Sequence, residues 1–413
     1  MMNAMHNAPF LDFPLADYAQ RTERVQEGMR EQGFDLLVLT LRENVEYLCG
    51  FTTVSWRLTD KAFWLLLPAE GAPSFLCDPI HEGNADQTCC VEDVRFWGPG
   101  GTTALDLLAD WLKEHPGEGA VGLEIGVRER INMSVPDYHT VCGMVAPRPV
   151  REAGPAVARA RLYKSLEEVR RLREACRITA GVIAEVFPHI EPGMTERDVI
   201  RELVSGYMKR GADSPLNTCS FGYMGVNGGR LSQMNPVAVE RPLERGDLLR
   251  LDGGCVYRNY AADISRNTVI GSPPSEEIRL ACEACDEVMN TTIAAIRPGV
   301  TSAELCRISV EAMKKTGFDE KRRFTMDRIS AKAGSMIGHA IGFAKHEDPF
   351  ITPTDQTVWE TNMTGAVEFG LGEPQYGYAD FEDNFVVTGD GCEVMSPGPR
   401  FVMSVSAGGR PLQ

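Results

Sequence analysis

The stretch GDLLRLDGGCVYRNYAADISRNTVIG, residues 246–271, decides the fold of the second half of this chain. Two apolar segments, each carrying one aspartate, flank a turn-rich centre. We expect them to form the two strands of a hairpin, with glycines and Asn259 supplying the bends. Such a hairpin would bring Asp252 and Asp263 close together although they are eleven residues apart.

Three further segments place a histidine or a glutamate among apolar residues and glycines. They are SMIGHAIGF around His339, GAVEFGLG around Glu368 and ADFEDNFVVT around Glu382. We expect the two glutamate segments to pair as strands, which would aim both carboxylates at one point.

These four carboxylates and one imidazole indicate a metal site. An unpaired carboxylate is costly to bury, so four of them share an apolar interior only if cations neutralise them or protons are taken up. The set suits a pair of divalent metal ions bridged by water. The alternative is a scatter of surface acids in an acidic protein, which has to explain acids flanked by Leu, Val, Ile and Phe.

The composition excludes several classes of protein. The 413 residues carry 42 basic and 58 acidic side chains, a net charge of −16, which argues against general binding to nucleic acids or anionic membranes. No run approaches the ~20 apolar residues of a membrane span, and the N-terminus lacks the pattern of a signal peptide. The 12 cysteines show no framework spacing. We therefore predict a cytoplasmic protein with reduced thiols.

The chain is long enough for two domains. Strands alternating with helices in the first part, among them FDLLVLT, AFWLLLP and AVGLEIG, predict an α/β domain. Ser165 followed by Glu168 is a capping-box signature that opens a long helix, and Thr195 opens another. Helices interleaved with mostly antiparallel strands then predict an α+β domain. We place the two domains at residues 1–158 and 159–413.

This layout strongly resembles the pita-bread metallopeptidase family, which includes prolidase, aminopeptidase P, methionine aminopeptidase and the related creatinase. The segment at 21–51 resembles the opening of the creatinase-type N-terminal domain, LYKSLEEVRRLREA at 162–175 the family's entry helix, and RPLERGDLLRLDGG at 241–254 the approach to its first aspartate. The family's five ligand positions match, in order and type, Asp252, Asp263, His339, Glu368 and Glu382. The resemblance implies a creatinase-like α/β domain followed by a pita-bread catalytic domain.

The resemblance also implies a role for each ligand. Asp252 would chelate one metal, whereas Asp263 and Glu382 would bridge both. His339 and Glu368 would hold the other metal. The two ions would lie ~3.5–4 Å apart and lower the pKa of a shared water, and Glu368 would accept and later return a proton. The ligands suit Mn, Fe, Co or Zn.

Around these ligands the chain departs from the prolyl peptidases of the family. Asn235 and Ser335 stand where the family has histidines, and Asp380 stands where it has an arginine two positions before the last glutamate. A lost histidine donor costs ~2.7–4 kcal/mol in comparable sites, and Asp380 makes a substrate carboxylate less welcome. His346 is kept and would donate to the tetrahedral intermediate; a loop histidine without function is the alternative. We therefore do not expect ordinary Xaa-Pro specificity.

Four side chains are candidates for contact with a substrate, and the first is Asn235 at the position of a family histidine. Tyr223 lies where the family has its substrate loop, although glycine-rich turns explain it equally well. Asp380 would bind a cationic group such as an amine or guanidinium, or else be a solvated acid. Trp56 lies in the part of the N-terminal domain that reaches a neighbouring active site in dimeric relatives, or else it fills a core.

Three functions stay open on the sequence. The first is a dinuclear metal-dependent hydrolase that cleaves an amide or C–N bond in a dipeptide or small molecule. The second is a metal-dependent lyase acting on a small osmolyte-like molecule. The third is a binding protein on a catalytically inactive peptidase scaffold. The relatives imply a homodimer, and we expect no nucleic-acid or membrane partner.

Overall fold

The chain folds into two compact units, Met1–Arg161 and Leu162–Gln413. The structure is a computed structural model, and it describes residues 5–58, 61–127, 129–216, 223–226, 240–317, 336–373 and 377–402. None of the helices in these ranges combines the length and the apolar character that crossing a bilayer requires. All the cysteines in these ranges are free thiols.

The first unit has the predicted α/β architecture. Its helices are α1 (Leu15–Gln32), α2 (Arg42–Cys49), α3 (Glu82–Thr88), α4 (Ala104–Glu114), α5 (Val135–Val145) and α6 (Gly154–Leu162). Its strands are β1 (Phe34–Leu39), β2 (Trp64–Pro68), β3 (Ser74–Cys77), β4 (Asp93–Phe96), β5 (Ala120–Leu123) and β6 (Val150–Glu152). They form one mixed sheet in the order β4-β3-β2-β1-β5-β6, in which β1 is antiparallel to β2 and parallel to β5.

Apolar side chains on one face of this sheet form the core of the first unit. Leu36, Val38 and Leu66 are buried there against Leu108 and Trp111 of α4. Burial of each such aliphatic side chain stabilises the fold by roughly 1.5–3 kcal/mol relative to exposure. The core therefore follows from the apolar periodicity of the segments.

The second unit has the predicted α+β architecture. Its helices are α7 (Leu166–Val186), α8 (Glu196–Lys209), α9 (Glu276–Ala295) and α10 (Ser302–Lys315). Its strands are β7 (Ser214–Pro215), β8 (Tyr223–Val226), β9 (Leu248–Gly253), β10 (Cys255–Tyr257), β11 (Tyr260–Ala261), β12 (Ile264–Val269), β13 (Gly338–Ala340), β14 (Glu347–Phe350), β15 (Thr364–Glu373), β16 (Gly377–Val387) and β17 (Cys392–Val394). Both predicted helix caps are confirmed, since the hydroxyl groups of Ser165 and Thr195 accept from the N–H groups of Glu168 and Asp198.

One large antiparallel sheet dominates the second unit. Its strand order is β14-β13-β15-β16-β12-β9-β8, with β17 also paired to β16, and β11-β10-β7 form a separate small sheet. Helix α9 packs on β15 and β16, with α10 against α9. On the face toward these helices, Val367, Phe369 and Phe381 join one buried cluster with Val288 and Leu305.

The predicted hairpin between the two aspartates is confirmed. Strands β9 and β12 pair antiparallel over their whole length. Between them β10 and β11 form a small hairpin that turns at Arg258 and Asn259, whose φ angles of 47° and 67° lie in the left-handed region. An asparagine tolerates this conformation better than most residues, which explains the turn at this position.

Candidate metal centre

The five candidate ligands lie on five neighbouring strands of the large sheet. Across the sheet the order β13-β15-β16-β12-β9 carries, in turn, His339, Glu368, Glu382, Asp263 (immediately before β12) and Asp252. Residues that are up to 130 positions apart in the sequence are thus brought side by side because their strands are hydrogen-bonded neighbours.

The register places the acidic side chains on one face of the sheet. Glu368 pairs directly with Glu382, and Ser265 pairs with both Glu382 and Asp252. Side chains alternate between faces along a strand, so Asp263, two residues before Ser265, shares their face. A one-residue slip of any strand would turn its carboxylate into the apolar core.

His339 joins the same face through its pairing with Ala366, two residues before Glu368. The neighbouring residues Val367 and Phe369 point the other way, into the core beneath α9. The strict alternation along β15 therefore separates an apolar face from a charged one.

The ligand atoms converge. Single oxygens of Asp252, Asp263 and Glu382 lie within 4.8 Å of one another. Nε2 of His339 lies 3.6 Å from Oδ2 of Asp263 and 3.6 Å from Oε1 of Glu382. An oxygen of Glu368 lies within 4.8 Å of oxygens of Asp252 and Asp380. The sheet thus brings all five predicted ligands together.

Several of these buried oxygens lack a hydrogen-bond donor. Asp263 and Glu382 are 0% and 1% exposed. Within the described ranges no group donates a hydrogen bond to Oδ1 of Asp252, to Oδ2 of Asp263 or to Oε1 of Glu382. Leaving such charged oxygens without partners is strongly unfavourable. Oxygen atoms arranged in this way fit divalent cations, which would satisfy all of them.

Burial changes the protonation of the carboxyl groups. It raises the pKa of Asp252 to about 6, with the Asp263 and Asp380 carboxylates adding to the rise and Lys345 opposing it. Burial also raises the pKa of Glu368 and of Glu382 well above the usual range. The cluster therefore does not ionise fully on its own, as expected for carboxylates that need a cation.

His339 presents a lone pair to the cluster. Its Nδ1 lies 2.9 Å from the carbonyl oxygen of Ala340; a carbonyl only accepts, so Nδ1 carries the proton and Nε2 does not. Burial lowers the pKa of this imidazole, with Asp263 opposing the fall. A neutral ring whose second nitrogen is fixed by a backbone carbonyl is the usual state of a metal-binding histidine.

Lys345 is a member of the site that sequence reasoning missed. Its Nζ lies 2.9 Å from Oδ1 of Asp263 and 3.6 Å from Oδ1 of Asp252. Burial opposes ionisation of Asp263, but the Lys345 ammonium together with His339 and His346 outweighs it, so the pKa of this carboxyl is lowered. Lysines are almost always at the surface, so nothing in KHEDP pointed to this contact.

Asp380 is not the solvated acid that was one of its two interpretations. It is 0% exposed, and its Oδ2 lies 3.1 Å from Nη1 of Arg250, which is also buried. Burial raises the pKa of Asp380 and Arg250 opposes the rise. Arg250 lies two residues before Asp252 on β9. Its positive charge offsets the negative charge that Asp380 introduces where the family has an arginine.

Asn384 is a second residue that sequence reasoning missed. Its side-chain Oδ1 accepts from the N–H of Asp263 at 2.9 Å, and its Nδ2 donates to the carbonyl oxygen of Asp263 at 2.6 Å. This pair of bonds fixes the backbone of Asp263, which lies just outside β12. The only sequence signal is an amide among the apolar residues that follow Glu382.

Of the remaining residues singled out in the second unit, the structure describes His346 and Tyr223. His346 is exposed, and its ring centroid lies 4.2 Å from that of His339. The backbone of Tyr223 pairs with that of Asp252 across β8 and β9, whereas Asn235 and Ser335 lie outside the described residues.

Trp56 lies in the first unit. It is half-buried, with its ring centroid 4.7 Å from that of Phe63 and 6.1 Å from that of Phe51. It therefore contributes to an aromatic cluster there. A contact with a neighbouring active site stays a prediction.

Known proteins share both units. Residues 170–389 match metallopeptidase family M24, and residues 21–138 match the creatinase/prolidase N-terminal domain. The Xaa-Pro dipeptidase of Pyrococcus horikoshii is 28% identical over 382 residues, covering 92% of this chain and 98% of that protein. The ectoine hydrolase of Halomonas elongata is 25% identical over 414 residues, covering 94% and 98%. The solved structure of the Xaa-Pro dipeptidase from Bacillus anthracis, 25% identical, covers 94% of this chain and 100% of that chain with a TM-score of 0.79.

The M24 match spans more than half of the chain and includes all five candidate ligands. The first unit is therefore a creatinase-type N-terminal domain and the second a pita-bread catalytic domain, which confirms the resemblance. The chain belongs to metallopeptidase family M24 and is a metallohydrolase of that family.

Proposed function

We propose that this protein hydrolyses an amide or related C–N bond in a dipeptide or small molecule, with two divalent cations held by Asp252, Asp263, His339, Glu368 and Glu382. The observation that carries this proposal is that five adjacent strands bring the five ligands together. Among their buried oxygens, Oδ2 of Asp263 and Oε1 of Glu382 accept no hydrogen bond from the described residues. Bound cations of this kind polarise a carbonyl oxygen and activate water near neutral pH.

The side chains around the ligands support proton transfer. Glu368 is only half-buried, unlike the other carboxylates of the centre, so it is the ligand that a substrate or a water reaches most easily. Its pKa is raised by burial and by the neighbouring Asp380 and Asp252 carboxylates, which suits a group that accepts and returns a proton. His346 is exposed beside His339, which supports our proposal that it donates a hydrogen bond to a substrate oxygen.

The substrate is proposed as a small amide rather than an Xaa-Pro dipeptide. Relatives of this chain are named Xaa-Pro dipeptidase and ectoine hydrolase, so the scaffold is compatible both with a dipeptide and with ectoine. The sequence has no histidine between His189 and His339. The donors that would favour a prolyl dipeptide are therefore missing from that stretch.

Product analysis in labelled water tests this function. The panel contains Xaa-Pro dipeptides, other dipeptides and cyclic amides, and we expect the protein, purified and reconstituted with Mn²⁺, to turn over at least one compound that is not an Xaa-Pro dipeptide. Hydrolysis places one solvent oxygen in the product, so mass spectrometry after reaction in H₂¹⁸O should show one ¹⁸O atom. A product without ¹⁸O indicates a lyase, and no turnover of any compound by the metal-loaded protein contradicts the proposal.

Three properties stay predictions alongside this function. They are the use of manganese, the formation of a homodimer and a cytoplasmic location. Metal analysis, light scattering and cell fractionation would measure each of them separately.

A further inference from the structure

Lys345 carries a charge that has no role in the hydrolysis proposed above. Its Nζ contacts Asp263 at 2.9 Å and Asp252 at 3.6 Å, and only 21% of its side chain is exposed. We infer that the Lys345 ammonium competes with a divalent cation for the Asp252–Asp263 side of the centre, so that this chain has one strong and one weak cation site. The inference rests on the proposed metal ligands but not on any particular substrate.

The ammonium and a cation cannot share these oxygens. A divalent cation ligated by carboxylates lies ~2.0–2.2 Å from each oxygen. The Lys345 nitrogen already lies 2.9 Å from Oδ1 of Asp263, on the side shared with Asp252. A cation bound to these oxygens would be close to the Lys345 ammonium, and the two positive charges would repel each other. A cation therefore binds there only if the ammonium leaves.

On the opposite side of the centre, the described residues that approach Asp263 are His339 and His346 rather than a lysine. There Nε2 of His339 lies 3.6 Å from Oδ2 of Asp263 and from Oε1 of Glu382. The imidazole is neutral and offers a lone pair, because its Nδ1 donates to the carbonyl of Ala340. A cation on this side gains a ligand and displaces no charge, which makes it the strong site.

The position of Lys345 is fixed by the residues around it. Glu347, two residues later, forms a buried ion pair of 2.9 Å with Lys164, with side chains that are 5% and 2% exposed. The other oxygen of Glu347 accepts from the N–H of Ala344 at 3.1 Å. These contacts hold the backbone on both sides of Lys345. Moving the ammonium out of the cluster therefore breaks an ion pair that the fold has positioned.

Metal titration of a variant without this charge tests the inference. The Lys345→Met substitution keeps most of the length of the side chain and removes its charge; Lys314→Met, at an exposed position of α10, is the matched control. Chelator-treated proteins would be titrated with Mn²⁺ by calorimetry and equilibrium dialysis. We expect the natural protein and Lys314→Met to bind one ion strongly and a second at least tenfold more weakly. In Lys345→Met the second ion should bind at least tenfold more tightly than in the natural protein.

Other outcomes overturn the inference in distinguishable ways. Two equal sites in the natural protein, or the same two affinities in Lys345→Met, would overturn the competition while leaving the metal centre intact. Absence of any bound ion in all three proteins would overturn the metal centre together with the inference. If chelator treatment unfolds Lys345→Met, retention of metal during dialysis of the metal-loaded proteins provides the same comparison.

Discussion

Replacing Glu368 by glutamine should lower turnover of the enzyme's substrate by about 10²–10⁴-fold, the range expected for loss of a general acid or base. Glutamine has nearly the same shape but cannot accept a proton. Glu368 is half-buried, whereas the other carboxylates of the centre are buried. Replacing it therefore changes the side of the centre that a substrate approaches. The measurement is kcat and kcat/KM of metal-loaded protein with any substrate found in the labelled-water assay.

A matched substitution separates this effect from a general one. Glu277→Gln removes one carboxylate from an exposed position in the first turn of α9, and it should leave turnover unchanged. Metal content of both variants shows whether Glu368→Gln loses activity with its ions still bound. A Glu368→Gln enzyme that keeps most of its turnover would support a role for this carboxyl in metal binding alone.

Replacing Arg250 by methionine should lower the free energy of unfolding by about 3–5 kcal/mol, the usual result of leaving one buried charge without its partner. The partner is Asp380, and the two side chains are 4% and 1% exposed at a separation of 3.1 Å. Urea denaturation of the variant and the natural protein measures the difference.

The pH dependence of this deficit follows from the pKa of Asp380. Burial raises that pKa and Arg250 opposes the rise, so removing Arg250 raises it further. A carboxyl group with a higher pKa in the folded than in the unfolded protein destabilises the fold once the pH exceeds the unfolded value. The deficit should therefore be larger at about pH 8 than at about pH 5.

Two controls identify the cause of this destabilisation. Arg173→Met removes an exposed ion pair with Glu393, with both side chains 46% exposed, and should cost less than about 1 kcal/mol. The double variant Arg250→Met, Asp380→Leu should regain most of the lost stability, because replacing both members of a buried pair by apolar groups is often neutral. A deficit that stays unchanged in the double variant would contradict an origin in the unpaired Asp380.

The sheet that carries the site was predictable from local patterns. The apolar residues and glycines in GAVEFGLG and ADFEDNFVVT predicted two strands, and the structure pairs Glu368 directly with Glu382. The turn chemistry around Asn259 predicted the return of the chain from Asp252 to Asp263. Both predictions succeed because the strands concerned are neighbours in sequence, so that a short loop sets their register.

The contacts that modify the site were not predictable in this way. Lys345 contacts Asp263 from a loop that is 82 residues further along the chain, and Arg250 reaches Asp380 across 130 residues. Neither pairing has a local signal, since a lone lysine or arginine normally lies at the surface. Asp380 could be read from its sequence position either as a substrate contact or as a solvated acid, and only the fold shows that Arg250 takes one of its oxygens.

The most direct test of the metal centre is anomalous diffraction from crystals of the protein soaked in Mn²⁺. We expect a strong anomalous peak within ligand distance of Nε2 of His339, Oδ2 of Asp263 and Oε1 of Glu382, joined at higher Mn²⁺ concentration by a second peak beside Asp252. Anomalous peaks only at other places, or none at all in soaked crystals, would contradict the claim that these five side chains form a site for divalent cations.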